Sequence, residues 1–257
     1  MPTFLIIKSK LINIIEFMLP NRFHLPLRYL FRRFKDSLDP EMIYVENILK
    51  KKRCFVDIGS NIGIYSYYFL NKFDEIISFE PLIKSSNKLK NLKSKKITIH
   101  NIALSDTSGE NILYTPIKKG VVVPSNSSLN KIGLDYEENL IKIKTLDKFN
   151  LIEVDLIKID VEGHEAKVLS GALDTIKRNR PVLIIEIEQR HIHRPINELF
   201  EMITNLNYKG FFLKKKKLLS IKDFSLNIDQ KKFLKNNVPM KGYINNFIFL
   251  PNENYEV

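Results

Sequence analysis

The sequence predicts an α/β fold with a parallel sheet. Three observations carry that expectation. From Arg53 onward, apolar runs of strand length alternate with segments of helical periodicity. The first run leads through closely spaced glycines straight into a helical pattern, the strand–turn–helix opening of a ligand-binding α/β unit. Later runs end near acids, at Glu80, Ser105-Asp106, Asp160 and Glu186, and open α/β sheets bind ligands at the carboxyl ends of their strands. A chain of 257 residues with 44% apolar content has room for one large α/β domain, alone or with an extension.

Residues 1–51 read as a helical extension. Phe4 to Leu19 has the look of an apolar helix, but Lys8, Lys10 and Glu16 interrupt it and it is too short to span a bilayer. It lacks the small-residue cleavage site of a secretory signal. Leu27 to Lys35 is a basic, aromatic helix. It is expected as a cap packed on the following domain; the alternative is peripheral contact with an anionic membrane. Asp39-Pro40 opens a third helix running to about Lys50, with proline at the first helical position.

The main domain, 52–251, then begins with strand 53–58, helix 63–72, strand 76–80, helix 84–93 and strand 97–102. Residues 105–150 break that rhythm. Ser108-Gly109 turns between short strands, Gly120 to Asn139 is loop-rich, and Ile141 to Thr145 alternates like a strand. Loops of that length are uncommon unless functional, so the segment reads as a lid or binding insertion. Alternation resumes with strand 155–160, helix 165–177, strand 181–187, helix 195–206 and strand 208–213. Lys214 to Lys217 reads as a solvated turn, Ile221 to Lys235 as holding a short helix, and Tyr243 to Leu250 as a last strand.

The chemistry starts at Phe55-Val-Asp-Ile-Gly-Ser-Asn-Ile-Gly-Ile-Tyr65. Gly59, Asn61 and Gly63 let the backbone turn sharply and a ligand approach the main chain. The N–H groups at the start of the next helix favour an anionic group, and Asp57 is placed to meet a cation. Both together suit a zwitterionic amino-acid moiety better than a pyrophosphate. Glu80, about 20 residues after the glycine turn, stands where nucleotide-binding units keep the acid that accepts the ribose hydroxyls. A third strand and turn, Asp155-Leu-Ile-Lys-Ile-Asp-Val-Glu-Gly-His-Glu165, crowds Asp160, Glu162, His164 and Glu165 together.

These segments, with Ser78-Phe-Glu-Pro81, Asn101-Ile-Ala-Leu-Ser-Asp106 and Arg180-Pro-Val-Leu-Ile-Ile-Glu-Ile-Glu188, resemble the FkbM family of S-adenosylmethionine-dependent methyltransferases. The likeness runs from about Lys52 to Leu250 and ends in Asn245-Asn-Phe-Ile-Phe-Leu-Pro251. Ser60 departs from the alanine more usual in the family, a change between small residues. The resemblance implies a doubly wound, mostly parallel, Rossmann-like sheet of seven strands, the last inserted antiparallel; the loop length of 105–150 marks it as the lid or acceptor-binding insertion. It implies that Asp57 and the amides of Gly59, Asn61 and Gly63 hold the methionine part and that Glu80 holds the ribose. Leu82, Ala103 and Leu104 then flank the adenine, and Asp106 accepts from its amino group.

Methyl transfer is a displacement at a sulfonium carbon, so positioning the acceptor in line is the main requirement. A hydroxyl acceptor must also lose a proton, which calls for a base. Asp160, Glu162 and His164 are the candidates, and the imidazole has the best-matched ordinary pKa. With Glu186 and His191, the same acids offer donors for a divalent metal that would acidify the hydroxyl. The expected acceptor is a small molecule, a sugar or glycan precursor, reached through the basic N-terminal helices if it is lipid-linked.

The formal net charge is +12, and residues 1–53 hold 11 Lys and Arg against 5 Asp and Glu. Such a bias serves nucleic acid, anionic lipid or an acidic substrate, or simply reflects a Lys-rich composition. Two rival classes stay open. A nicotinamide-dependent oxidoreductase needs a third glycine three residues beyond Gly63, and Ser66 stands there. A nucleic-acid-binding module uses the charge but has no need of Glu80 or the acid cluster; no specific nucleic acid is expected. The single Cys54 forms no internal disulfide, which fits a reducing compartment, and a cytoplasmic location is expected.

Overall fold

The computed structural model of the protein describes residues 15–118, 121–129, 135–253 and 255. Most of the segment Phe4 to Leu19 and part of the loop between Gly120 and Asn139 lie outside the described residues. Among the described residues, a helical stretch at 15–18 and helices α1 (His24–Phe34) and α2 (Pro40–Ile48) precede the sheet. The first half of the sheet is β1 (Cys54–Ile58), α3 (Ile64–Phe69), β2 (Glu75–Phe79), α4 (Ile83–Lys90) and β3 (Ile97–His100). After β3 come β4 (Ala103–Leu104) and, within the insertion, β5 (Gly109–Lys118), β6 (Val121–Val122) and β7 (Tyr136–Lys144). The second half is β8 (Val154–Ile159), α5 (Glu165–Ser170), α6 (Leu173–Asn179), β9 (Val182–Glu186), α7 (Ile196–Thr204) and β10 (Tyr208–Lys214). The chain closes with β11 (Lys217–Ser220), β12 (Leu234–Lys235), β13 (Val238–Pro239) and β14 (Asn246–Pro251).

The central sheet has eight strands in the order β11-β10-β14-β9-β8-β1-β2-β3. Strands β3, β2, β1, β8 and β9 pair in parallel. β14 inserts antiparallel between β9 and β10, as the resemblance implies. The eighth strand corrects the expectation of seven. Lys214 to Lys217 is a turn, but a two-residue hairpin turn, with Lys215 and Lys216 both at positive φ (50° and 65°). It returns the chain along the sheet edge, where Leu218 and Leu219 pack on opposite faces.

The inner strands are buried on both faces, which is why they read as near-continuous apolar runs. Phe55, Ile76, Leu156, Ile184 and Ile248 face one core, while Val56, Ile77, Ile157, Leu183 and Phe247 face the other. The first core also takes Leu25, Met42 and Val45 from the N-terminal helices, fully buried with Phe69 and Phe73. These helices therefore share a core with the sheet.

Two other details depart from the sequence-based expectation. The helix expected over 165–177 breaks at Gly171. A Cβ on Gly171 would lie 2.0 Å from the Ser105 carbonyl oxygen, so the insertion packs directly on the backbone there. The strands of the insertion form a second sheet with β4, in the order β4-β7-β5-β6. Its small apolar cluster of Leu113, Ile141 and Ile143 packs on Leu82, Ala103 and Leu129.

Candidate functional site

The carboxyl ends of β1, β2 and β8 converge on two adjoining cavities. Gly59, Asn61, Pro124 and Asp160 line both. Gly59 makes the junction possible: its φ is +75°, and an added Cβ would sit 1.8 Å from the Asp160 carbonyl oxygen. The glycine turn and the acidic turn thus touch through backbone alone.

The smaller cavity, about 60 Å³, is lined by Ile58, Phe79, Glu80, Ala103, Leu104 and Leu113, among others. Ser127, Ser128 and Leu129 of the insertion cover it, and Ser128 Oγ donates to the Glu162 carbonyl at 2.7 Å. That volume is well below the roughly 300–1,000 Å³ usual for small-molecule sites. Glu80 is buried at its edge. Its two carboxylate oxygens accept from the backbone N–H groups of Asn61 (2.9 Å) and Leu82 (2.8 Å). Each oxygen keeps a second lone pair for a ligand. Burial pushes this carboxyl up to about 7, against the lowering effect of those two bonds.

The larger cavity, about 600 Å³, has Asp57, Tyr65, Lys158, Asp160 and Glu186 among its lining, with Arg28, Arg32, Lys84 and Lys88 from α1 and α4. Asp57 is completely buried. Its Oδ2 accepts from Ser66 N–H (3.2 Å) and Oγ (2.6 Å), while its Oδ1 is buried without a hydrogen-bond partner. Lys158 stands almost fully buried beside it, donating to Asp160 Oδ2 at 2.6 Å and lying 4.6 Å from the Tyr65 ring centre. Burial works against the lysine charge, but Asp160, Glu186 and Asp57 together hold its pKa above the ordinary value. Burial raises the Glu186 carboxyl well above the usual range, and Asn245 donates to it at 2.8 Å.

The three residues of the acidic turn have different surroundings. Asp160 reaches both cavities, with its side chain 28% exposed. Glu162 sits at a left-handed φ of 51° and pairs with His191 Nδ1 at 2.8 Å. Burial raises its pKa, against the lowering effect of that pair. His164 is buried, its Nε2 within 2.9 Å of Ser105 Oγ, and burial lowers its pKa to about 4. Among the described residues, no group of three or more His, Cys, Asp and Glu is arranged to hold a metal ion.

Of the residues singled out from sequence, Asp57, Gly59, Asn61, Glu80, Ala103, Leu104, Asp160, Glu162 and His164 line one or both cavities. Gly63, Leu82 and Asp106 do not. Gly63 packs on Leu89, Leu82 anchors Glu80, and Asp106 accepts from Ser105 Oγ at 2.9 Å. The amides of the glycine turn are largely engaged internally. Gly59 and Ser60 donate to the Phe79 carbonyl, Gly63 to that of Ser60, and Asn61 to Glu80. Sequence reasoning assigned no role to Lys158, whose signal is a lone charge inside the apolar strand Leu156-Ile-Lys-Ile159. It also passed over Arg28, Arg32 and Lys84, which no local pattern connects to the strand ends.

The family model described as "Methyltransferase FkbM domain" matches residues 57–213. The chain is 26% identical over 200 residues to "Methyltransferase 1" of Beauveria bassiana, covering 68% of this chain and 73% of that protein. The FkbM methyltransferase structure from Methylobacillus flagellatus superposes with a TM-score of 0.49 at 16% identity, over 90% of this chain but only 55% of that one. An rRNA methylase structure from Streptococcus thermophilus gives a TM-score of 0.45 at 8% identity, over 82% of this chain and 93% of that one. The match to the family takes in most of the sheet and both acidic strand ends, and the chain belongs to the FkbM family of S-adenosylmethionine-dependent methyltransferases.

Proposed function

We propose that the protein methylates a hydroxyl group of a small polar acceptor, a sugar or glycan precursor, using S-adenosylmethionine. The chain's own residues fit that cofactor. The orphaned Oδ1 of Asp57 matches the ammonium of its amino-acid end, and the spare lone pairs of Glu80 match a ribose diol. When bound, the cofactor supplies an electrophilic methyl group on sulfur. Asp160 carries the rest of the reading, because it lines both cavities and so faces cofactor and acceptor alike. Its Oδ2 is tied to Lys158, which holds the side chain in place. We assign it the acceptor hydroxyl, which it orients and whose proton it takes. His164 is reserved for structure: it is buried against Ser105 and poorly basic.

The polar lining of the larger cavity favours a hydroxyl-rich acceptor over an apolar one. Peripheral contact with anionic membrane is part of the same proposal. Phe34 of α1 is 88% exposed and Phe17 is 94% exposed, with Arg22, Arg33 and Lys35 close by in the chain. No helix among the described residues is long and apolar enough to cross a membrane. The test is transfer of labelled methyl from S-adenosylmethionine to a panel of sugars, glycan precursors and RNA. Label on a hydroxyl of a sugar supports the proposal. Label on RNA alone refutes it.

A further inference from the structure

Helices α1 and α4 each present two cations to the mouth of the larger cavity at a spacing of four residues: Arg28 and Arg32, and Lys84 and Lys88. One pair is already neutralised. The buried Glu16 carboxylate accepts from Arg28 Nε (2.5 Å) and Nη2 (2.8 Å) and from Lys88 Nζ (3.0 Å). That clamp fixes α1 against α4. The other pair, Arg32 and Lys84, is exposed, and neither side chain has an ion-pair or hydrogen-bond partner among the described residues.

The opposite wall has another character. Asp39, Asp57, Asp160 and Glu186 line it, with Lys158 among the last three. Lys158 already matches Asp160 on that wall, so the unpaired cations that attract an anion are those at the mouth. A guanidinium and an ammonium held on two clamped helices suit a phosphate or carboxylate. The cofactor's own carboxylate is a poor candidate. It shares one carbon with the ammonium that Asp57 would hold, and Asp57 is completely buried while Arg32 and Lys84 are exposed.

We infer that Arg32 and Lys84 form an anion subsite for the acceptor, which is a polar molecule carrying a phosphate or carboxylate at one end and the reacting hydroxyl at the other. The inference rests on the methyltransferase reading for the direction in which the acceptor lies. The anion docks at the mouth, and the hydroxyl points inward to Asp160.

The test is calorimetry on the full chain, comparing wild type with Arg32→Gln, Lys84→Gln and the double variant. The probes are S-adenosylhomocysteine, then glucose 1-phosphate and glucose, each with S-adenosylhomocysteine present. Wild type is expected to bind glucose 1-phosphate but not glucose, and the double variant to bind it about 10- to 100-fold more weakly. S-adenosylhomocysteine affinity should change by no more than about twofold, well below the loss of one charged hydrogen bond. Vesicles of phosphatidylglycerol identify the source of the phosphate. Joint loss of vesicle and phosphate binding points to a lipid-linked acceptor, and loss of phosphate binding alone to a soluble one; either supports the subsite. Equal phosphate binding by wild type and double variant, or no phosphate binding at all, overturns it. So does a loss of S-adenosylhomocysteine affinity in the double variant, which would give these cations to the cofactor. If S-adenosylhomocysteine fails to bind the wild type, the methyltransferase reading itself fails, separately from the subsite.

Discussion

Glu80 should make cofactor binding depend on pH, and the sign can be derived. In the unliganded chain burial pushes its carboxyl up to about 7. Ribose hydroxyls donate to the ionised form, so a ligand lowers that pKa and binding expels a proton. The free protein then binds more protons than the complex, and affinity rises with pH until about 7, where it levels off. Between pH 5.5 and 7.5 the gain is roughly 25-fold if the bound carboxylate stays ionised throughout. Glu80→Gln removes the proton and weakens two charged hydrogen bonds. At pH 7.5 the loss should be about 2–4 kcal/mol, or roughly 30- to 700-fold in affinity. It should shrink by the same 25-fold or so at pH 5.5, where the wild type is mostly protonated. The amide also loses one of its backbone partners, Asn61 N–H or Leu82 N–H, since only its oxygen can accept. Calorimetry with S-adenosylhomocysteine across this range, in two buffers of different ionisation enthalpy, gives both affinity and protons released. A wild type whose affinity is flat with pH, or a variant that follows the same curve as the wild type, would refute the assignment of Glu80 to the ribose.

Gly59→Ala should cost about 3 kcal/mol or more, because its Cβ meets the Asp160 carbonyl at 1.8 Å and the backbone is left-handed; an unchanged melting temperature would contradict this. Lys158→Met leaves Asp57, Asp160 and Glu186 without their central cation, and a loss of about 3–5 kcal/mol in denaturant unfolding is expected at neutral pH. Asp160→Asn should lower single-turnover methyl transfer by roughly 10²–10⁴-fold, while His164→Ala should leave the rate within about fivefold, below the worth of a general base. The reverse order of those two rates would return the base role to the histidine. Replacing Arg22, Arg33 and Lys35 by Gln should weaken cosedimentation with phosphatidylglycerol vesicles by about 1 kcal/mol per charge, and equal binding would leave the N-terminal helices with packing alone.

Much of the site was legible because it depends on local sequence. A glycine turn after an apolar run, and acids at the ends of later runs, are properties of adjacent residues. They place Asp57, Gly59, Asn61, Glu80 and Asp160 on the cavity walls without knowledge of the fold. Gly63 and Asp106 do not line the cavities and lie against Leu89 and Ser105, while Leu82 ties Glu80 through its backbone N–H and packs its side chain with Leu113. Sequence distance does not say on which side of a turn a group points.

The α/β alternation and the strand ends that carry chemistry follow from local sequence, because strands buried on both faces must be apolar throughout and must end where polar groups can reach solvent or ligand. Tertiary structure decided the rest. Position 171 has no room for a side chain only because the Ser105 backbone lies against it. His164 has a poor proton affinity only because packing buries it beside Ser105. Lys158 stays charged in the interior only because carboxylates from β1, β9 and the turn after β8 surround it. Arg32 reaches the cavity because Leu25 anchors its helix in the core and Glu16 ties that helix to α4. Each of these depends on groups distant in the chain, whose interaction is a matter of separation and burial in space, and neither quantity is written in local sequence.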